Sequence, residues 1–245
     1  MGKKAQTRRE IKEQQEKERK EIIRSIEVSK NPWANFWKRF DFWIYTACLA
    51  ALICFPFLRK DALVYGDQAV IHTSYGDIEI NLYKSDAPKT VANFVGLSDQ
   101  GFYNHLLWHR VIKGFMIQGG DPNGDGTGGE TIYGDYFEDE INPKSLGLAD
   151  DQIKDLEDQG YTYNYSLNSH KMEVGSVAMA NSGPNTNGSQ FFIVTEKDQN
   201  YLNGQHTVFG KVTKGLDIAK KISEVPTDEN DKPIDPVYID SIEIK

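Results

Sequence analysis

Cysteine is nearly absent from this chain. Its 245 residues include two, Cys48 and Cys54, and the large C-terminal part has none. Six residues apart on one helix, their side chains point about 240° apart and cannot pair. No disulfide framework follows, and cysteine usage sets no redox compartment. Basic residues are scarce after position 60: residues 61–245 hold 14 Lys/Arg against 29 Asp/Glu, a formal −15. A surface of that sign repels phosphate backbones, which argues against a nucleic-acid partner. Metal and nucleophile patterns are missing as well. His105 and His109 fall where the sequence reads as strand, so they do not face one metal as they would on a helix. No serine has a convincing His/Asp context. The glycine-rich Asp121 to Gly129 starts like a calcium loop, but its twelfth position is Ile132 instead of a bidentate acid. Its glycine spacing makes no dinucleotide fingerprint either. Neither metal nor cofactor is expected.

The chain's one long apolar run lies near the start. Residues 1–60 reverse the charge balance, with 14 Lys/Arg and 7 Asp/Glu. Residues 1–40 form a charged tail of good helix formers, with i,i+4 pairs at Glu13–Lys17 and Glu16–Lys20. Trp33, Phe36, Trp37 and Phe40 interleave with Lys38 and Arg39, a mixture suited to a membrane interface. Phe42 to Leu58 then runs 17 residues without a charge, the lower limit for a span. A cleaved signal peptide would have a shorter leader and a small-residue site. The expectation is an uncleaved transmembrane helix at 41–58 in contact with the lipid bilayer, followed by a tether at 59–68. The basic tail predicts a cytoplasmic N-terminus in a single-pass protein of the cell membrane, its main domain extracytoplasmic. That layout suggests a bacterial, Gram-positive source.

Residues 69–245 read as mainly β. Ala69 to Tyr83 alternates around a hairpin at Tyr75-Gly-Asp77. Asp86-Ala-Pro88 opens a helix, Asp as cap and Pro in the first turn, with Val91, Phe94 and Val95 on its apolar face. Strands follow at Trp108 to Ile112 and Phe115 to Gln118. Leu216 to Ile222 reads as a second helix, and Val237 to Ile244 as a closing strand.

Gly175 to Thr195 organises the rest. Two apolar segments, Val177 to Ala180 and Phe191 to Val194, bracket the polar loop Asn181 to Ser189. By composition it is an ordinary hairpin loop or a rigid set of amide-binding groups. Two partner segments decide: Trp108-His-Arg-Val-Ile-Lys-Gly-Phe-Met-Ile-Gln-Gly-Gly-Asp121 and Tyr201-Leu-Asn-Gly-Gln-His-Thr-Val-Phe-Gly210. Together the three resemble the cyclophilin family of peptidyl-prolyl isomerases, over roughly Ala69 to Lys245. The resemblance implies a closed antiparallel eight-stranded barrel capped by two α-helices, here preceded by the charged helix and the transmembrane helix. The whole looks like a membrane-anchored bacterial form. Residues 142–172 depart from the family: compact members are about 25 residues shorter there. This insertion is either a surface excursion with its own small apolar patch or an added contact surface for client proteins.

The resemblance implies rotation about X–Pro bonds in peptides and unfolded client proteins, and help in folding outside the cytoplasmic membrane. Arg110 is the expected catalytic residue. Phe115, Met116, Phe192, Leu202 and His206 line the implied proline pocket; Gln118 and Asn181 bind the peptide backbone. Gly126, Ala180, Ser182 and Gln190 shape the groove. Tyr201 stands where many members carry tryptophan, which weakens the expected binding of the inhibitor cyclosporin. The alternative is a proline-peptide binding module or chaperone on the same scaffold, with little catalytic role.

Overall fold

The structure is a computed structural model that describes residues 14, 16–22, 24, 66–134 and 136–245. The chain divides into two compact units, Met1–Leu63 and Val64–Lys245. In the first, the described residues are helical and exposed, and Lys20 Nζ lies 3.1 Å from Glu16. The span expected at 41–58 lies outside the described residues.

The second unit is built on one antiparallel sheet. It begins with the hairpin β1 (Gln68–Thr73) and β2 (Gly76–Leu82). Thr73 Oγ1 donates to the Gly76 carbonyl at 2.7 Å, so the turn is tied by a side chain. Next comes α1 (Pro88–Asp99), then β3 (Leu106–Leu107), β4 (Arg110–Ile112) and β5 (Met116–Gly119). After α2 (Asp150–Asp158) follow β6 (Ser176–Met179), β7 (Phe191–Val194), β8 (Val208–Lys214), α3 (Leu216–Ser223) and β9 (Tyr238–Ile244).

Strand order is β3-β9-β1-β2-β8-β6-β7-β5-β4. The expected closed barrel of eight strands is therefore corrected to a curled sheet of nine. Its two edge strands, β3 and β4, are joined through Trp108 and His109 alone, so the sheet must curl until its edges approach. No backbone ladder pairs them. Inside the curl, alternate residues (Ile71, Ile78, Ile80, Phe191, Phe209, Ile239) pack around buried Trp108 and Phe94. Phe94 meets Phe191 edge-on with ring centroids 5.4 Å apart. Helix α1 lies against β9; α3 lies against β2, β4 and β5.

The cap of α1 differs from the sequence reading. Asp86 does not cap α1: its carboxylate meets His170 Nε2 at 2.8 Å, and the His170 ring stacks on Tyr83. Glu140 caps the helix instead, accepting from the backbone of Lys89 at 2.9 Å and of Thr90 at 2.7 Å. Pro88 occupies the first turn, where its missing N–H costs nothing. The insertion carries α2, whose Ile153 and Leu156 are buried three residues apart on one face.

Candidate active site

A cleft of about 730 Å³ opens on the outer face of β4, β5 and β7. Register explains why these residues meet. Arg110 of β4 stands opposite Gln118 of β5, and Gln118 opposite Phe192 of β7. Directly paired residues point to the same side of a sheet, so all three side chains share one face. Arg110 and Phe192 are two strand spacings apart, roughly 10 Å. Phe191 and Ile193, the alternate residues, point into the core. The run Phe191-Phe-Ile-Val194 is apolar throughout because both of its faces are covered. The outer cover is a second apolar cluster of Met116, Met172, Ala178, Phe192, Val194 and Val208, with Phe115, Ala180 and Leu202 at its edge.

Polar groups around that floor are held by one another. Gln118 Nε2 donates to Gln190 Oε1 at 2.8 Å. Gln190 Nε2 in turn donates to the carbonyls of Gly128 at 2.6 Å and Gly126 at 3.1 Å. The loop after β5 is shaped by buried Asp121, whose carboxylate accepts from the backbone N–H of Asn123, Asp125 and Gly126. Asp121 therefore faces its own loop. A Cβ at Gly128 would lie 2.1 Å from Asp121 Oδ1, so only glycine fits where Gln190 anchors. Among the described residues no group of three or more His, Cys, Asp or Glu could hold a metal ion.

On the other wall, Asn181 Nδ2 donates to the Gln205 carbonyl at 2.9 Å. Behind it sits buried Asp139, accepting from Asn187 Nδ2 at 2.7 Å and the Asn185 backbone at 2.8 Å. Burial raises the Asp139 carboxyl above its ordinary range, ahead of those bonds, which lower it. His206 stands edge-on to Phe192, ring centroids 5.5 Å apart, with Nδ1 at 3.0 Å from the Met179 carbonyl. A carbonyl only accepts, so the proton sits on Nδ1 and Nε2 is left as an acceptor. Burial pushes this imidazole below its ordinary pKa, against the Met179 carbonyl and the Asp139 charge. The slot is thus lined by a neutral ring.

Arg110 is the fixed cation at the edge. Its Nε lies 3.5 Å from Asp231 Oδ2, and Nη1 lies 3.5 Å from Gln118 Oε1. Every residue singled out in the sequence lines this cleft: Arg110, Phe115, Met116, Gln118, Gly126, Ala180, Asn181, Ser182, Gln190, Phe192, Tyr201, Leu202 and His206. Sequence reasoning did not find His109, Tyr136 and the Asp228–Lys232 loop, which also line it. The loop reads as a plain polar turn; the Asp231 carbonyl, accepting from the Val111 N–H at 2.8 Å, and Lys232 Nζ, donating to the Gly124 carbonyl at 3.0 Å, draw it to the site. His109 is buried, and burial lowers its pKa, ahead of the Asp121 charge, which raises it. Tyr201 is 64% exposed at the rim. The arrangement offers an apolar slot, a fixed positive fork and amide-binding groups, and places no activated nucleophile among them.

Residues 69–244 match the model of the cyclophilin type peptidyl-prolyl cis-trans isomerase/CLD family. The chain is 45% identical over 182 residues to peptidyl-prolyl cis-trans isomerase 9 of Schizosaccharomyces pombe. That match covers 74% of this chain and 26% of the yeast protein, so the chain spans about a quarter of the first curated relatives' length. It is 44% identical over 169 residues to peptidyl-prolyl cis-trans isomerase-like 1 of Neurospora crassa, covering 69% of this chain and 88% of that one. Among solved structures, a Cryptosporidium parvum cyclophilin type peptidyl-prolyl cis-trans isomerase superposes with a TM-score of 0.61 at 39% identity. The superposition covers 74% of this chain and 98% of that one. The same protein in the presence of the dipeptide Ala-Pro gives 0.60 at 39%, covering 73% and 98%.

These relatives come from yeast, a filamentous fungus and a protozoan, which replaces the expectation of a bacterial membrane-anchored form. The expected single-pass location in a cell membrane is likewise corrected. No helix among the described residues is long and apolar enough to cross one.

Proposed function

Since the chain belongs to the cyclophilin-type peptidyl-prolyl cis-trans isomerase family, we propose that residues 69–245 catalyse rotation about X–Pro bonds in peptides and unfolded proteins. The observation that carries this is one cleft lined jointly by Arg110 and by Phe115, Met116, Phe192, Leu202 and His206.

Amide resonance opposes rotation by about 18–20 kcal/mol, and uncatalysed exchange takes tens of seconds or longer. No bond is made or broken, so neither nucleophile nor general acid is required. What helps is a slot that holds the proline ring while the peptide on the other side turns, and a donor for the nitrogen. In the twisted amide the lone pair localises on a pyramidal nitrogen. Arg110, always charged and planar, donates to it through its Nη groups. Preorganisation makes this effective: the fork is held before the peptide arrives, so little reorganises as the bond twists. Phe192, Met116 and Phe115 take the ring, and His206 closes the slot as a neutral edge. Asn181 and Gln118 bind the peptide backbone; Gly126, Ala180, Ser182 and Gln190 shape the groove around it. The Ala-Pro dipeptide used with the Cryptosporidium protein supports proline peptides as the ligand class. Tyr201 supplies a ring at the rim without an indole N–H, which weakens cyclosporin binding.

The test is the exchange rate of a proline tetrapeptide with the wild type and Arg110→Ala. Loss of rate with peptide binding retained supports the enzyme. No rate in the wild type, with binding intact, supports a peptide-binding module or chaperone instead.

A further inference from the structure

Arg110 begins an edge strand, and 44% of its side chain is exposed, so packing does not fix its fork. Two polar contacts do: Gln118 at Nη1 and Asp231 at Nε. Asp231 is itself braced. Its carbonyl accepts from the N–H of Val111, the residue after Arg110, at 2.8 Å, and its own N–H donates to the Asp228 carbonyl at 3.2 Å. The Asp228 carboxylate accepts from the backbone of Asn230 at 2.8 Å and of Lys232 at 3.0 Å. Lys232 Nζ then ties the loop to Gly124 across the cleft end. The Asp231 backbone takes the left-handed conformation, φ 62°, which Asp and Asn adopt more readily than other side chains. The carboxylate is therefore delivered to Arg110 from a fixed loop. Because the guanidinium is a rigid plane, a carboxylate beside Nε and an amide oxygen at Nη1 together fix its rotation. Nη2 and the second hydrogen of Nη1 are left for a ligand.

We propose that Asp231 is a positioning residue for the isomerase reaction: it aims the Arg110 fork into the cleft and does not touch the peptide. This rests on the reading of Arg110 above as the catalytic group. Asp231 lowers the barrier by holding in advance the orientation that the twisted amide needs. Binding of the untwisted peptide depends on the apolar slot and is left alone. The effect is on kcat and is salt-sensitive, because the pair is partly exposed and screened.

The experiment measures kcat and KM on a proline tetrapeptide for the wild type, Asp231→Asn, Arg110→Ala and the double variant. Asn keeps both volume and the left-handed backbone. The expected result is a fall in kcat of about three- to five-fold with KM essentially unchanged. Asp231→Asn should have no further effect in the Arg110→Ala background, where there is no fork to aim. The Arg110 Nε–H resonance should shift in Asp231→Asn, and Asp231→Glu should recover part of the rate. An unchanged kcat in Asp231→Asn beside a disabled Arg110→Ala overturns this inference alone. So does a loss of kcat that persists undiminished without Arg110. A full rate in Arg110→Ala overturns the reading of Arg110 and this inference with it.

Discussion

Glu140 closes the N-terminus of α1 from 50 residues away in sequence: one carboxylate oxygen accepts from both the backbone N–H of Thr90 at 2.7 Å and its hydroxyl at 2.8 Å. The other oxygen accepts from the Lys89 N–H. A carboxylate here satisfies orphan donors and meets the positive end of the helix dipole. Its own N–H donates to Thr207 Oγ1, next to His206. Glu140→Ala should therefore lower unfolding stability by about 1–2 kcal/mol, the range of a lost cap. Urea denaturation checks this, and an unchanged midpoint would refute it.

Gln190 is the clasp between β5, through Gln118, and the glycine loop. It accepts from Gln118 and donates to Gly126 and Gly128, so Gln190→Ala strands three partners at once. The predicted cost is about 1–3 kcal/mol in stability, since unpaired polar groups lose their partners without regaining full hydration. Activity should fall further, by about ten-fold in kcat/KM, because Gln118 and the loop both lose their anchor. A variant with normal kcat/KM would show that the clasp holds nothing the reaction uses.

Acid should weaken the protein through its histidines. Burial lowers the folded pKa of both His206 and His109 below the ordinary value of about 6.5. For a depressed group the unfolded chain binds more protons, so stability rises with pH. Their contribution is complete above pH 6.5 and is lost as pH falls through the depressed values. Asp139 acts in the opposite sense: its folded pKa is raised, so its contribution is present at acid pH and disappears as pH rises. Net stability should drop between about pH 7 and pH 5, and His206→Gln should make that slope shallower. Melting temperatures measured at intervals across that range decide the matter.

Tyr201 stands 64% exposed at the cleft rim, opposite in chemistry to an indole because it offers no ring N–H. Tyr201→Trp exchanges the phenolic O–H for an indole N–H at a position where a ring is already in place. Cyclosporin affinity should rise by about five-fold, the worth of one hydrogen bond, while peptide turnover stays within about two-fold. Titration calorimetry with the inhibitor measures it; equal affinities would remove Tyr201 from the inhibitor's contact set.

Much of the site was legible in the sequence through the family resemblance carried by Trp108 to Asp121, Gly175 to Thr195 and Tyr201 to Gly210, whereas composition alone left Asn181 to Ser189 undecided. Phe191 to Val194 reads as a strand covered on both faces, and Gln118, Gln190 and Arg110 fall beside it. What was not legible depends on pairing between distant loops. Asp86 looks like the cap of α1 by its position, yet Glu140 takes that place and Asp86 meets His170. Asp231 and Lys232 look like ordinary turn residues until the curl brings their loop to Arg110 and Gly124. The eight-strand count came with the family resemblance; the described residues form nine strands, among them two-residue β3 paired with β9, a contact no local pattern announces.

The insertion is fastened to the wall that carries Leu202 and His206. Tyr163 donates its hydroxyl to the Gly204 carbonyl at 3.1 Å, and Met172 N–H donates to Asn203 Oδ1 at 2.8 Å. Gly204 has a φ of +88°, and a Cβ there would lie 2.9 Å from the methyls of both Leu148 and Leu156. Two substitutions separate the polar tie from the packing. Tyr163→Phe removes one hydrogen bond and should cost about 1 kcal/mol. Gly204→Ala forces an unfavourable backbone and pushes on two leucines, so it should cost about 1–3 kcal/mol. Since Tyr201, Leu202 and His206 lie within three residues of Gly204, KM for proline peptides should rise in Gly204→Ala more than in Tyr163→Phe. If Gly204→Ala leaves both stability and KM unchanged, the insertion is not a support for this wall.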